Sequence, residues 1–475
     1  MIEDLKPYPV YRNCGLPWLG EVPAHWEIKR GKSYLQAIDK RSHSGEEELL
    51  TVSSTRGVVP RRSASVTMFK ANSYAGHKLC WPGDLVINSL WAWNGGLGVS
   101  RHHGIVSTAY GVYRARNTSE VNPYYLHELL RSSAFQWELQ VRSKGVWISR
   151  LQLTDTAFLD APIPLPPPDE QAAIARFLAW ATNRLDRAIG AKRRIIALLQ
   201  EQKQAIIHRA VTRGLDPSVP LKDSGIPWLG EIPEHWEVMG LRMRYTVELG
   251  KMLDAKRITG RYSIPYLRNR DVQWDRVLTV DLPVMDIPPG EIDRYTLQAG
   301  DLLVCEGGQV GRSAFWNEQL PVCGFQKALH RVRCLDGGND YPRFFFYQMQ
   351  LAAGLGVFTA DGNENNIAQL TCEKLRSHRF AFPSLDEQTA IADLLDAKLQ
   401  IFQNTISRLE REITLLREYR NCLIADVVTG KLDVREVAKG LPKEELQVQP
   451  DVAAGYDAEE AEDDAESDLI DTTKD

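Results

Sequence analysis

Two stretches of the chain carry a long, regular spacing of apolar positions. In the first, Leu178, Thr182, Leu185, Ile189, Lys192, Ile196, Leu199, Lys203 and Ile206 fall alternately four and three residues apart. In the second, Leu395, Leu399, Phe402, Ile406, Leu409, Ile413, Leu416, Arg420 and Leu423 repeat that spacing and are nearly all apolar. A seam of this period is that of a coiled coil. The first stretch opens on Pro166–Pro168 followed by Asp169 and Glu170, and Gly214 follows its last periodic residue. These are start and stop signals of a helix. The pattern predicts helices over 166–213 and 383–430, each roughly 65 Å long at about 1.5 Å per residue. Elsewhere the apolar runs are short. "DLVIN", "DLLVCE", "HRVRC" and "YGVYRAR" read as strands between Gly and Asn punctuation, and Pro123–Leu130 and Pro342–Leu351 as brief helices. The class expected is α+β with a central, mostly antiparallel sheet.

The two helices belong to a larger repeat. "GLPWLGEVPAHWE" (Gly15–Glu27) returns as "GIPWLGEIPEHWE" (Gly225–Glu237), identical at ten of thirteen positions. "PGDLVI" matches "AGDLLV", "QLTDTAF" matches "QLTCEKL", "PPPDEQAAIARFL" matches "PSLDEQTAIADLL" and "VTRGLD" matches "VTGKLD", all at an offset of 217 residues. A period this long is a tandem duplication of a domain, not a solenoid. The expected organisation is a mixed domain over 1–165 with its helix, a second over 214–382 with its helix, and an extension over 431–475. Two helices with apolar seams most simply bury them against each other. A pseudo-two-fold relation between the copies makes that coiled coil antiparallel. The opening peptide is nearly the same in both copies. It therefore reads as a packed structural foot and not as a feature that distinguishes the two domains.

Composition sharpens this picture. The chain has 475 residues, too many for one ordinary core, with 25% charged and 43% hydrophobic residues. Asp451–Asp475 holds eleven acidic residues and one lysine, −10 of a total −5, so the first 450 residues carry +5. That tail reads as disordered. The seven cysteines are scattered without a CxxC pair, which points to reduced thiols in a cytoplasm and away from a zinc site. No apolar run is long enough to span a membrane.

No catalytic constellation stands out, and no cofactor or metal site is expected in this chain. "NPYY" (Asn122–Tyr125) lacks the second Pro of the methyltransferase N-P-P-Tyr/Phe loop and fits a helix cap, as does "NDYP" (Asn339–Pro342). "WNGGLG" and "EGGQVG" fit neither a dinucleotide nor a P-loop cradle. What remains are basic, amide and aromatic clusters, the side chains that grip phosphates and read purine edges. In the first copy they are Arg56, Arg61, Arg62, Lys70, Lys78, Asn88, Trp91, Trp93, Asn94, Arg101, Lys144 and Arg150. In the second they are Lys256, Arg257, Arg261, Tyr262, Arg268, Asn269, Arg270, Gln273, Gln309, Arg312, Asn363, Asn365 and Asn366.

The doubled "PWLGE…HWE" peptides, the "GDLVINSLWAWNGGLGVS" and "GDLLVCEGGQVGRSAFW" segments, and the "DEQ" and "VT…LD" helix boundaries resemble the specificity subunits of type I restriction–modification systems. The resemblance covers about residues 15–434. It implies two target-recognition domains that read the halves of a split site in double-stranded DNA, held apart by an antiparallel helix pair. It implies no catalysis in this chain. Two modification subunits would methylate adenine N6 with S-adenosylmethionine, and two restriction subunits would use ATP and Mg. Arg176, Arg184, Arg187, Arg193, Arg194, Arg408, Arg411 and Arg417, on outer helix faces, are candidates for docking those partners. A stand-alone methyltransferase or nuclease, and a coiled-coil scaffold that does not read DNA, are the alternatives.

Overall fold

A computed structural model describes residues 5–63, 73–145, 151–253, 259–335, 340–359 and 369–442. The chain divides into two units. Unit 1 comprises 1–192 and 411–475, and unit 2 comprises 193–410.

The same layered plan recurs in each. In unit 1, β1 (Leu35–Ala37), β2 (Leu85–Asn88), β3 (Leu97–Val99) and β4 (Tyr110–Ala115) form an antiparallel sheet in the order β1-β4-β2-β3. The run Leu85–Asn88 is buried throughout because both faces of the sheet are covered. Leu85 and Ile87 join the core that holds helix α1 (Pro123–Arg131) and the start of the long helix α2 (Pro168–Arg213). Val86 faces the other way and packs with Leu50, Val52 and Val58 of the hairpin Leu50–Ser53/Gly57–Pro60. In unit 2, β5 (Tyr245–Leu249), β6 (Leu302–Cys305), β7 (Ser313–Phe315) and β8 (Leu329–Cys334) give the equivalent order β5-β8-β6-β7. Leu302 and Val304 pack with α3 (Pro342–Gly354) and the long helix α4 (Leu385–Val428), while Leu303 and Cys305 pack with Leu267, Val272 and Phe325.

Asn122 caps α1, its side chain accepting from Tyr124 N at 2.9 Å and Tyr125 N at 3.3 Å. No side-chain cap forms at α3, which starts from Tyr341 and Pro342. Asp340 is engaged instead by Arg244, at 2.7 and 2.8 Å, and by Gln388 at 3.1 Å.

Each long helix contributes a segment to both units, and in unit 1 the two segments run in opposite directions. In unit 1, Lys192 pairs with Glu412 at 2.5 Å and Asp186 with Arg420 at 2.7 Å, so one number falls as the other rises. Unit 2 buries Ile207, Ala210 and Val211 of α2 in one cluster with Ile391, Leu395 and Leu399 of α4. Along the seam Leu178, Leu185, Ile189, Leu395, Leu399, Ile406, Ile413 and Leu423 are buried. Ile196, Leu199, Ile206, Phe402, Leu409 and Leu416 are half-buried.

Residues 431–442, the first part of the C-terminal extension, pack on unit 1. Val434, Ala438 and Leu441 are spaced on one face and are buried in the core of unit 1, and Asp433 N donates to Lys6 O at 2.8 Å. The acidic tail lies outside the described residues. Among the described residues, no helix is long and apolar enough to cross a membrane.

Candidate nucleic-acid interface

The site begins with what holds each sheet to its helices. His25 and Trp26 of the first peptide copy reach the glutamate at the start of α2. Trp26 Nε1 donates to Glu170 Oε1 at 2.8 Å, His25 Nε2 lies 2.8 Å from Oε2, and the Tyr8 hydroxyl donates to Oε1 at 2.6 Å. The second copy repeats this on α4: Trp236 Nε1 donates to Glu387 at 3.1 Å and His235 lies 2.8 Å from it. The next residue ties in the short helix. Gln171 Oε1 accepts from Asn122 N at 2.8 Å, and Gln388 Oε1 accepts from Tyr341 N at 2.9 Å. The earlier tryptophan of each copy packs edge-on against a phenylalanine, Trp18 on Phe135 and Trp228 on Phe380. Gly430 and Gly214 end the long helices with φ of +80° and +69°. A side chain at Gly430 would collide with Pro23 of the first copy. The doubled peptide is thus a foot joining sheet and helix. Glu170, Gln171, Glu387 and Gln388 were visible in the sequence only as helix-start signals.

In unit 1 the hairpin turn Ser53–Gly57 and the loop Asn88–Gly96 lie side by side. Arg131, at the end of α1, donates to carbonyls of both. Trp91 and Trp93 stack at 5.6 Å, and Trp93 Nε1 donates to Leu90 O at 3.0 Å. Arg56 and Asn94 are half-exposed, as is Arg61, and Arg62 is exposed beside Glu48 at 2.9 Å. Arg101 is exposed and lies over the Tyr124 ring, and Lys144 is exposed. Arg56 Nη1 donates to Ser63 O at 3.0 Å, and Asn88 and Lys78 are likewise engaged within the fold. Asn88 is 4% exposed and its Oδ1 accepts from Leu90 N, and the Lys78 ammonium donates to Tyr110 O at 2.6 Å. An amide buried in this way cannot also offer its edge to a base. Lys70 and Arg150 lie outside the described residues.

Unit 2 uses other residues for a comparable arrangement. Asn269 Nδ2 donates to Gly307 O at 3.0 Å, and Arg312 Nη2 donates to both Asn269 oxygens at 2.9 Å. This joins the Arg268–Gln273 segment to the Gly-rich turn, leaving Arg270 and Gln309 exposed. Arg261 is exposed beside half-exposed Tyr262, and Gln273 donates to Arg270 O. Arg268 is committed internally, forked on Asp271 at 2.7 and 2.9 Å. Arg343 of α3 ties Asp275, beyond Gln273, to Asp396 of α4. Burial works against the Arg343 charge, but hydrogen bonds to the two carboxylates prevail and its pKa is raised. Lys256, Arg257, Asn363, Asn365 and Asn366 lie outside the described residues.

Of the helix arginines, Arg184, Arg187, Arg194, Arg408 and Arg411 are exposed. Arg176 donates to Ala438 O, Arg184 lies over Trp180, and Arg187 donates to Asn183. Arg193 and Arg417 are half-exposed.

His127, one turn before Arg131, accepts from Val99 N through Nδ1 at 3.1 Å. Burial first, then Arg131 and Arg101, hold its pKa well below the usual range, so the imidazole is neutral. Below about pH 6.5 an unfolded histidine takes up a proton that this folded one refuses. Its contribution is therefore full at neutral pH and falls as pH drops through that value. His127→Gln keeps an acceptor that does not titrate. In urea unfolding, wild type should lose stability relative to H127Q between pH 7 and pH 5; a difference that does not change with pH contradicts this.

Residues 233–414 match the type I restriction modification DNA specificity domain. The chain is 23% identical over 453 residues to the putative type I restriction enzyme MjaX specificity subunit of Methanocaldococcus jannaschii, covering 88% of this chain and 96% of that protein. It is 22% identical over 345 residues to the MjaVIII specificity subunit of the same organism, covering 70% and 76%. A solved chain, from work on complex assembly and conformational transition of the type I R-M system, superposes with a TM-score of 0.63 at 17% identity, covering 86% of this chain and 99% of that one. That likeness is one of fold. Residues 233–414 thus match that specificity domain, and the chain is similar over most of its length to type I restriction enzyme specificity subunits, the family that its repeated peptides resemble.

Proposed function

We propose that each unit reads one half of a split DNA site and that the two long helices fix the gap between the halves. The observation carrying this reading is the doubled foot. In each unit a His-Trp pair is hydrogen-bonded to the glutamate opening a long helix, so the sheet with its exposed polar turns is bound to a rod. Helices of 46 and 44 residues extend roughly 65–70 Å. Half-sites one turn apart, about 34 Å, lie on one face of B-DNA. A rod holds such a separation where a flexible linker would blur it. The names of the relatives support recognition within a restriction enzyme complex.

In this reading the chain contributes recognition and no catalysis. Modification subunits would bind S-adenosylmethionine and methylate adenine N6 on a base flipped from the stack. Restriction subunits would use ATP and Mg. Arg184, Arg187, Arg194, Arg408 and Arg411, all exposed on the long helices, are the proposed docking residues for such partners. The test is selection from a randomised duplex pool by the full chain with its modification partner. The expected result is two fixed blocks separated by a gap of constant length, with binding that weakens steeply as salt rises. A single continuous motif, or no motif, contradicts it.

A further inference from the structure

We propose that Arg131 is a positioning residue for base reading by unit 1. The proposal rests on the reading of the chain as a split-site DNA recognition subunit. Arg131 closes α1, and its guanidinium reaches two turns far away in the chain. Nη2 lies 2.7 Å from Ser54 O and 2.8 Å from Thr55 O. Nη1 lies 2.6 Å from Leu97 O, 3.2 Å from Gly95 O and 3.4 Å from Ser53 O. The first turn belongs to the hairpin and the second ends the loop that carries the Trp91–Trp93 stack.

The two turns meet backbone to backbone. A Cβ at Gly98 would lie 3.0 Å from Gly57 Cα, so there is no room here for interlocking side chains. Their carbonyl oxygens converge, and without a cation between them they would repel. A planar fork of fixed donors suits several acceptors at once, which the compact ammonium of lysine does less well. Arg131 thereby sets where Thr55, Arg56, Trp93 and Asn94, all exposed or half-exposed, stand relative to one another. Unit 2 joins its equivalent turn through Arg312 and Asn269. The effect of Arg131 is therefore confined to one half of the site.

The test compares wild type, Arg131→Met and Arg131→Lys as full chains with their modification partner, on a randomised duplex pool, with thermal melting alongside. R131M should lose about tenfold or more in discrimination at one half only, a loss on the scale of a mismatched base pair. R131K should lose less, at the same half. Equal loss at both halves, with or without a lowered melting temperature, assigns Arg131 a purely structural role and overturns the proposal, as does an R131M profile identical to wild type. A wild-type chain that selects no split site overturns the underlying reading as well, and is told apart because the comparison then fails before any substitution is made.

Discussion

Inserting one heptad into each long helix should widen the preferred gap between half-sites by about three base pairs. Seven residues add about 10.5 Å of helix at about 1.5 Å per residue. Base pairs are about 3.4 Å apart. The insertion points are Lys192–Arg193 in α2 and Glu410–Arg411 in α4, where the two units divide. Insertions there leave the Lys192–Glu412 and Asp186–Arg420 pairs within unit 1. A heptad also keeps the seam facing its partner, which a four-residue insertion in one helix would not. On DNA with the original gap, one half-site is missed and affinity should fall on the order of a hundredfold or more, because several base pairs are lost together. Selection from a duplex pool reads both effects. An unchanged gap would show that the helices do not set the distance.

The second large effect is expected at the foot of unit 1. Trp26 is 1% exposed, and truncating a buried tryptophan to alanine typically costs about 3–5 kcal/mol. Glu170→Ala separates polar loss from packing loss. It leaves the Tyr8 hydroxyl and the Trp26 indole N–H without their acceptor, at about 1–3 kcal/mol for each buried donor. Among the described residues Glu387 has no tyrosine counterpart among its partners, and its side chain is 26% exposed against 5% for Glu170. E170A should therefore destabilise its unit more than E387A does. Hydrogen exchange resolves the two: E170A should speed exchange across 8–30 and 431–441 while 231–240 stays protected. Equal effects of the two substitutions would mean that the terminal segments add nothing at Glu170.

Much of this architecture was legible in the sequence because it rests on periodicity. Seam residues such as Leu185 and Leu399 recur at heptad spacing, and the buried strands at Leu85–Asn88 and Leu302–Cys305 are apolar runs of the right length. Less legible was anything set by partners distant in the chain. Arg131 had no signal beyond being an arginine at the end of a helix, since the carbonyls it holds lie more than thirty residues away. Glu170 read as an acidic residue in a first helical turn, and only the fold brings Trp26 to it, 144 residues apart. Composition marked Asn88, Lys78 and Arg268 as DNA candidates, but the fold uses their polar ends itself. Residues 431–442 read only as part of an extension because Val434, Ala438 and Leu441 are too few to announce a core element. Arg270 and Gln309, named from composition as DNA candidates, are exposed on their turns, and their contact with DNA rests on the proposed function.

The most direct measurement is single-molecule sequencing of genomic DNA from cells carrying this chain and its modification partner, compared with cells from which the chain is deleted. The proposed function predicts N6-methylated adenines within two fixed sequence blocks separated by a constant, unread gap, all lost on deletion. Methylation that persists without the chain, or that follows one continuous motif, would contradict it.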